Sequence, residues 1–520
     1  MKIYQLAITP LSPMHIGCGE AYEPTNFVID PVKRMMYGFN PSVAVLGNRV
    51  QSQLRNAAAA GTLKAIYNFF RNHVEDFKPW ASVIVPMDRT CLDAYLDIFK
   101  KPNVGKFEIL RNTYELSPDQ STPYLPGSSL KGVIRTALAD RLNNGQKRCN
   151  NAMAMKEILG GDFDRSPMRF LKVSDFHPVG RKVSVRIRCA KRFYKKNNIF
   201  CERTQNNYET IEPCQYRLLQ GSVVLTSDQN RDNVQNVYAS IEAMMRDLHQ
   251  YSQKIFDRER QWYAEANSRW TNSVTDLLET LQPSFKSGRM ALIRLGKNCG
   301  AESKTLSGKD VARIKIHHKD GGKETLDHTT LVGFMTDEIR KNFDNAEIVS
   351  GLPVGWALCE VAEKDEDNHI VKAWCTAEAK HLPVPKISLE SEWNDILTQR
   401  ALLEKQKETQ RLQEEQMAQK RAEEAVAQAR REAELSTMTP ERRSSEEMVE
   451  KLNKAPGSIG PGTSLFVEVK ALLETALGWA SAEDKKQLAL AVGPLMKKRG
   501  MMVGKNEKLF KAQLKTLRGE

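Results

Sequence analysis

The chain has 520 residues, a formal charge of +13 from 77 Lys and Arg against 64 Asp and Glu, and 41% hydrophobic residues. That length implies roughly three to four domains, the apolar content excludes wholesale disorder, and no run reaches the roughly 18 apolar residues of a membrane helix. An alternating N-terminus without an apolar signal core, and nine cysteines without a CxxC pair, predict a soluble cytoplasmic protein with no disulfide framework, structural metal or membrane partner.

Tyr4, Leu6 and Ile8 alternate with Gln5, Ala7 and Thr9, which predicts a half-buried strand over Lys2–Thr9. A Pro/Gly-rich loop, LSPMHIGCGE, follows. A strand at Phe27–Asp30 then turns through DPVKR to a hairpin partner at Met35–Phe39, and helical spacing appears at about 42–58 and 62–76. In PYLPGSSLKGVIRTALADRL, residues 123–142, an apolar stripe runs from Leu130 through Val133, Ile134, Ala137 and Leu138 to Leu142. Ser128 or Ser129 is the expected N-cap, after the Pro126-Gly127 turn.

Strand patterns at Phe170–Val173, Val183–Ile187 and Ser222–Thr226 flank a basic stretch, RCAKRFYKKNNIFCER, at 188–203. Val234, Val237, Ile241, Met244, Leu248, Tyr251 and Ile255 are spaced by three and four. A coiled-coil seam and a helix lying on a sheet share that pattern, and the second is favoured. Met290–Leu295 reads as a strand feeding the loop LGKNCGAESKT, and Gly351–Val361 as loop then strand. Interspersed strands and helices without a βαβ repeat indicate an α+β class. Residues 400–435 are expected to form a solvated single helix or a weak coiled coil, Ser436–Thr463 a breaker-rich linker, and the remainder a small basic helical segment. The expected divisions are 1–230, 231–385, 386–463 and 464–520.

None of the glycine motifs is a nucleotide loop. GSSLKG is followed by Val133 and Ile134 where a Walker loop needs Lys-Ser/Thr, Ser303 precedes Lys304-Thr305, and HIGCGE holds only Gly-x-Gly. Glycine does let backbone approach a phosphate closely. PGSSLKG at a helix start, with Lys131, therefore reads either as a phosphate grip or as a capped turn with a solvated lysine. In 188–203, Arg188, Lys191, Arg192, Lys195, Lys196 and Arg203 can track phosphates. Phe193, Tyr194 and Phe200 can stack on bases beside a hairpin tip at Asn197-Asn198. The alternative is a basic loop whose aromatics pin it to the body.

HIGCGE, PYLPGSSLKGVIRTAL, MRFLKVSD, LGKNCGAESKT and PVGW occur in one order, and together they resemble the RAMP superfamily of CRISPR systems. In detail the set is similar to the type III-A backbone subunit that caps the 3′ end of the guide RNA, over roughly residues 1–385. The resemblance implies ferredoxin-like (RRM-like) modules with helical insertions and no cofactor. It implies that Gly17 and Gly19, then Gly127, Ser128, Ser129, Lys131, Gly132 and Arg135, then Gly296, Lys297, Gly300, Ser303 and Lys304 hold guide-RNA backbone. The extended hairpin of RAMP subunits places Lys191, Arg192, Phe193 and Tyr194 beside displaced bases. Implied partners are the guide RNA, target RNA and a neighbouring RAMP backbone subunit. The sister subunit that cuts target RNA has an aspartate just before the stretch matching Phe27-Val28-Ile29. Thr25 and Asn26 stand there, and neither is an ionised base, so a scaffold is expected. The rivals are a RAMP endoribonuclease and an adaptor whose charged helix is the working part.

Overall fold

The chain opens with the expected strand, Lys2–Pro10, in a computed structural model that describes residues 2–44, 46–100, 107–113, 122–146, 152–161, 166–180, 183–196, 199–226, 238–307, 314–317, 322–326, 331–341, 347–362, 368–383, 385 and 387–520. Leu6 to Pro10 are all buried. Successive strand residues face opposite sides, so this half of the strand is covered on both faces and not on one, as alternation predicts. The strand lies inside an antiparallel sheet ordered Met290–Arg294, Trp356–Val361, Lys2–Pro10, Leu219–Leu225, Leu171–Val173.

The connections explain the order. After Lys2–Pro10 come the helix Gly127–Asn143, strands Leu171–Val173 and Leu219–Leu225, the helix Ile241–Thr280 and the strand Trp356–Val361. Their spatial order is fourth, first, third, second, which is ferredoxin-like. Met290–Arg294 extends the edge. Leu130, Ile134 and Leu138 from one helix and Met244, Leu248 and Ile255 from the other share a core with Leu6, Ile8 and Leu292. From Ile241 on, the three-and-four spacing is therefore sheet packing, while Val234 and Val237 lie outside the described residues. Each such leucine contributes roughly 1.5–3 kcal/mol on burial. Leu142 departs from the expected stripe and is 40% exposed.

A second sheet runs Glu347–Pro353, Leu331–Lys341, Val185–Lys196, Ile199–Ile211, Ile109–Asn112, Gly17–Tyr22. Its centre is a long antiparallel hairpin in which Lys196 pairs with Ile199. The expected tip, Asn197-Asn198, lies outside the described residues. A third sheet, Phe27–Asp30, Met35–Phe39 and Ala81–Pro86, packs with Phe69, Phe70, Phe77 and Trp80.

The helix Leu389–Ser436 starts on this third sheet. Glu392, 1% exposed, accepts from Lys33 Nζ at 2.9 Å, Lys78 Nζ at 2.7 Å and Tyr37 Oη at 2.9 Å. Arg400 reaches the carbonyls of Pro79 and Ala81. These contacts carry the first compact unit to Ala401, past the boundary expected at 385. Burial alone would raise the Glu392 pKa, but the hydrogen bonds from Lys78, Lys33 and Tyr37 outweigh it and set it at about 2. A depressed carboxylate stabilises the fold above its unfolded pKa and loses that contribution as pH falls toward 2. Wild type should lose on the order of 3 kcal/mol across this window. Glu392→Gln should lack that pH dependence, and parallel urea midpoints against pH for the two proteins would contradict the assignment.

The second unit, Leu402–Glu520, corrects the expected linker. Pro440–Lys454 is a helix, with Pro440 at its first turn and Thr439 accepting from Arg442 N at 3.3 Å. Thr-Pro is a helix start here and not a breaker. Met448 and Leu452 join Phe466, Val469, Leu488, Val492, Phe510 and Leu514 in one core. The expected solvated helix is observed: residues 402–430 are exposed throughout.

Candidate nucleic-acid interface

The first and last glycine motifs meet in space. Lys297 N donates to the His15 carbonyl at 3.0 Å, Gly355 N donates to Pro13, and Leu11 and Ser12 both donate to the Trp356 carbonyl. A side chain at Gly296, φ +102°, would place its Cβ 2.5 Å from the His15 oxygen. Gly296 is thus required by close packing inside the chain. Ser303, expected to face RNA, is buried and donates to the Cys299 carbonyl at 2.8 Å. Gly300 starts the short turn Ala301–Lys304 at φ +76°. Lys297 and Lys304 are exposed.

His15 organises this junction. Its Nδ1–H donates to the Glu209 carbonyl at 2.8 Å and its ring meets Tyr208 edge-on. Burial lowers its pKa to about 4, so it is neutral at pH 7. Gly17 leaves room for it, since a Cβ there would lie 2.9 Å from Nε2. Gly19 is different. It is exposed, at φ +89°, and among the described residues nothing beyond its chain neighbours lies within 4 Å of the space a Cβ would take.

A hydrogen-bonded path joins this loop to the central motif. Ile16 N donates to Asn112 Oδ1, Thr113 N donates to the Ile16 carbonyl at 2.7 Å, and Tyr124 N donates to the Thr113 carbonyl at 3.1 Å. Leu125 then bridges to Phe176. The helix begins at Gly127 and is not capped by Ser128 or Ser129. Gly127 N donates instead to the Asp175 carboxylate at 2.7 Å, so a carboxylate already occupies this helix end. A Cβ on Gly127 would lie 2.4 Å from the Ser174 carbonyl oxygen. Lys131, expected as a phosphate grip, is half-buried and donates from Nζ to the Leu171 carbonyl at 2.7 Å. Burial lowers its pKa. Ser129 is half-buried too.

What this helix presents outward is Ser128, Gly132 and Arg135, all exposed and spaced by four and three. Asp175, the last residue of LKVSD, was missed as the cap. An Asp opposite a Pro-Gly helix start is the signal, legible only once the two segments are known to adjoin.

The hairpin divides likewise. Arg192 is exposed and Lys191 half-buried. Phe193 is 1% exposed and fills space over two glycines, where a Cβ on Gly333 or Gly351 would meet its ring at 2.5 and 2.6 Å. Phe193 belongs to the core and is not a base platform. Arg188, another expected phosphate contact, is fully buried between Glu212 and Asp88. The side chains of 194–205, Tyr194 among them, lie outside the described residues. Arg135, Arg192, Lys297 and Lys304 form no ion pair among the described residues.

A family model of the RAMP superfamily matches residues 7–286, more than half of the chain. The chain belongs to the RAMP superfamily. Among solved structures it is similar to a chain of the "Csm-crRNA-target RNA ternary complex in type III-A CRISPR-Cas system". That match has TM-score 0.43 and 16% identity, and covers 69% of this chain and 100% of the other. T.onnurineus Csm5 matches with TM-score 0.37 and 16% identity, over 68% of this chain and 99% of the other. No curated protein matches. The ferredoxin-like order of this RAMP chain thus leaves Gly19, Gly132, Arg135, Arg192, Lys297 and Lys304 exposed on a buried hydrogen-bonded frame.

Proposed function

We propose that this RAMP protein is a non-catalytic backbone subunit of a type III-A CRISPR effector complex. It holds the 3′ part of the guide RNA by its sugar–phosphate chain, beside target RNA and a neighbouring RAMP subunit. Gly132 carries the reading. Glycine at an exposed helix position costs about 0.5–1 kcal/mol relative to alanine, and among the described residues no atom beyond the helix's own turn lies within 4 Å of the space its Cβ would take. No described neighbour accounts for the glycine, which on this reading serves close approach of the RNA backbone, with Arg135 one turn on for a phosphate.

The turn where a catalytic aspartate would stand supports a non-catalytic role. Asn26 Oδ1 accepts from Glu23 N, and Asp30 Oδ1 accepts from Val32 N and Lys33 N. Both side chains are occupied in holding turns.

Gly132→Ala should leave the unfolding free energy from urea titration unchanged or raise it by up to about 1 kcal/mol, while weakening guide-RNA binding severalfold for unrelated sequences. Intact affinity in this variant would remove the reason for the glycine. Incubation of the protein with labelled guide RNA, with and without EDTA, tests the other half of the reading. Site-specific cleavage lost in a point variant would make the protein an endoribonuclease.

A further inference from the structure

The Leu402–Glu520 unit lies beyond the residues that the RAMP family model matches, and its charge is unevenly spent. The helices Pro440–Lys454 and Ser464–Ala476 mix acids with bases, and the two neutralise each other. Glu447 pairs with Arg443, Glu450 with Lys454, Glu468 with Lys451 and Glu474 with Lys470. Residues 497–520 instead hold eight lysines and arginines against two glutamates.

Some of that charge is used inside the unit. Arg499 donates from Nε to the Leu452 carbonyl at 2.8 Å and from Nη2 to the Asn453 carbonyl at 2.6 Å. Arg518 is half-buried, and Lys511 pairs with Glu507 at 2.7 Å. Left over are Lys497, Lys498, Lys505, Lys508 and Lys515, all exposed and without an ion pair among the described residues.

These five lie on one side of a helical hairpin. In the helix Lys505–Arg518, Phe510, Leu514 and Leu517 enter the core with Val492 and Met496 of Ala482–Lys498. Lys508, Lys511 and Lys515 are spaced by three and four on the solvent side, with Lys505 one turn earlier. Lys497 reaches the same place from the other helix. The Glu507 carboxyl is held below its ordinary value by the Lys511 hydrogen bond and, beyond it, by the Lys497 charge. Lysine is depleted where proteins meet proteins, whereas interfaces with nucleic acid are much more positively charged. Lysines that no carboxylate neutralises release counterions from a phosphate chain when they meet it.

We propose that this hairpin is a second RNA-binding surface, holding the sugar–phosphate chain through Lys497, Lys498, Lys505, Lys508 and Lys515. The choice of RNA among polyanions rests on the role proposed above, but the residues are separate from those of the Met1–Ala401 unit.

The test uses the full chain in two forms, wild type and one in which Arg135, Arg192, Lys297 and Lys304 are already glutamine. In the second form, the remaining affinity for a labelled oligouridine belongs to the hairpin. Glutamine at its five lysines should lower that affinity at least tenfold, and the slope of log affinity against log salt by up to about 3.5. The melting temperature should stay in place, since exposed charges contribute little to folding. In the wild type, RNA carrying 4-thiouridine should cross-link within residues 497–515. Arginine at the five positions should keep the binding, and its loss there too would make the effect structural and overturn the proposal. No remaining affinity in the second form, or affinity that the five glutamines leave unchanged, would overturn it as well. If the second form binds as wild type does and the five glutamines still weaken it, the role given to the Met1–Ala401 unit fails and the hairpin surface stands. Capture of poly-glutamate lost in the glutamine variant, with RNA binding intact, would make the surface a dock for an acidic protein and overturn the proposal.

Discussion

Arg188→Met should destabilise the Met1–Ala401 unit by roughly 3–5 kcal/mol, because it removes one partner of a buried charge cluster. Arg188 is 0% exposed. Its guanidinium donates to Glu212 Oε1 at 2.8 Å, to Asp88 Oδ2 at 2.9 Å and to the Met335 carbonyl at 3.0 Å. Arg186, two residues away on the same strand face, donates to Glu212 Oε2 at 3.2 Å. Burial alone would raise the Glu212 pKa, but Arg188 and Arg186 hold it below the ordinary carboxylate value. Without Arg188, two buried carboxylates share one arginine, and one of them must take up a proton or open the strand. Arg188→Lys keeps the charge but loses the planar fork, so its loss should be smaller. Urea midpoints of the two variants measure this. A loss under about 1 kcal/mol in Arg188→Met would mean the cluster is solvated.

That cluster also shows where sequence reading stops. Arg188 and Arg192 lie in one basic run, and nothing local distinguishes them. Strand pairing sends Arg188 between Glu212 and Asp88 and leaves Arg192 exposed. The acids it meets are 24 and 100 residues away. Lys131 is the same case. Its helix was legible from apolar spacing, but the Leu171 carbonyl that receives its Nζ is brought there by the sheet. Elements with strong period, such as Met244 to Ile255, were readable because burial on one face repeats along the chain. The break of the helix Ile241–Thr280 at Asn267 was not, because an asparagine in a polar stretch of helix carries no signal until its cap and its neighbours are seen. Of the glycines, sequence picks out the positions but not the reason. Gly127 and Gly296 make room for this chain's own carbonyls, while Gly19 and Gly132 make room for nothing among the described residues.

Replacing Arg135, Arg192, Lys297 and Lys304 together by glutamine should weaken guide-RNA binding on the order of 100-fold at 0.15 M salt. The reasoning is counterion release: each phosphate contact on a single strand adds about 0.7 to the slope of log affinity against log salt. Four contacts then account for a slope change of up to about 2.8 and for most of that loss. Exposed charges contribute little to folding, so the urea midpoint should barely move. The effect should be equal for unrelated RNA sequences, since phosphates carry no base identity. Two controls separate these exposed side chains from their frame. Lys131→Gln should leave the slope unchanged, because its Nζ is spent on the Leu171 carbonyl. Phe193→Ala should cost roughly 3–5 kcal/mol of stability, as a buried phenylalanine does, with no change in slope. If the fourfold variant binds with the wild-type slope, the phosphates are held elsewhere and these four side chains are only solvated charge.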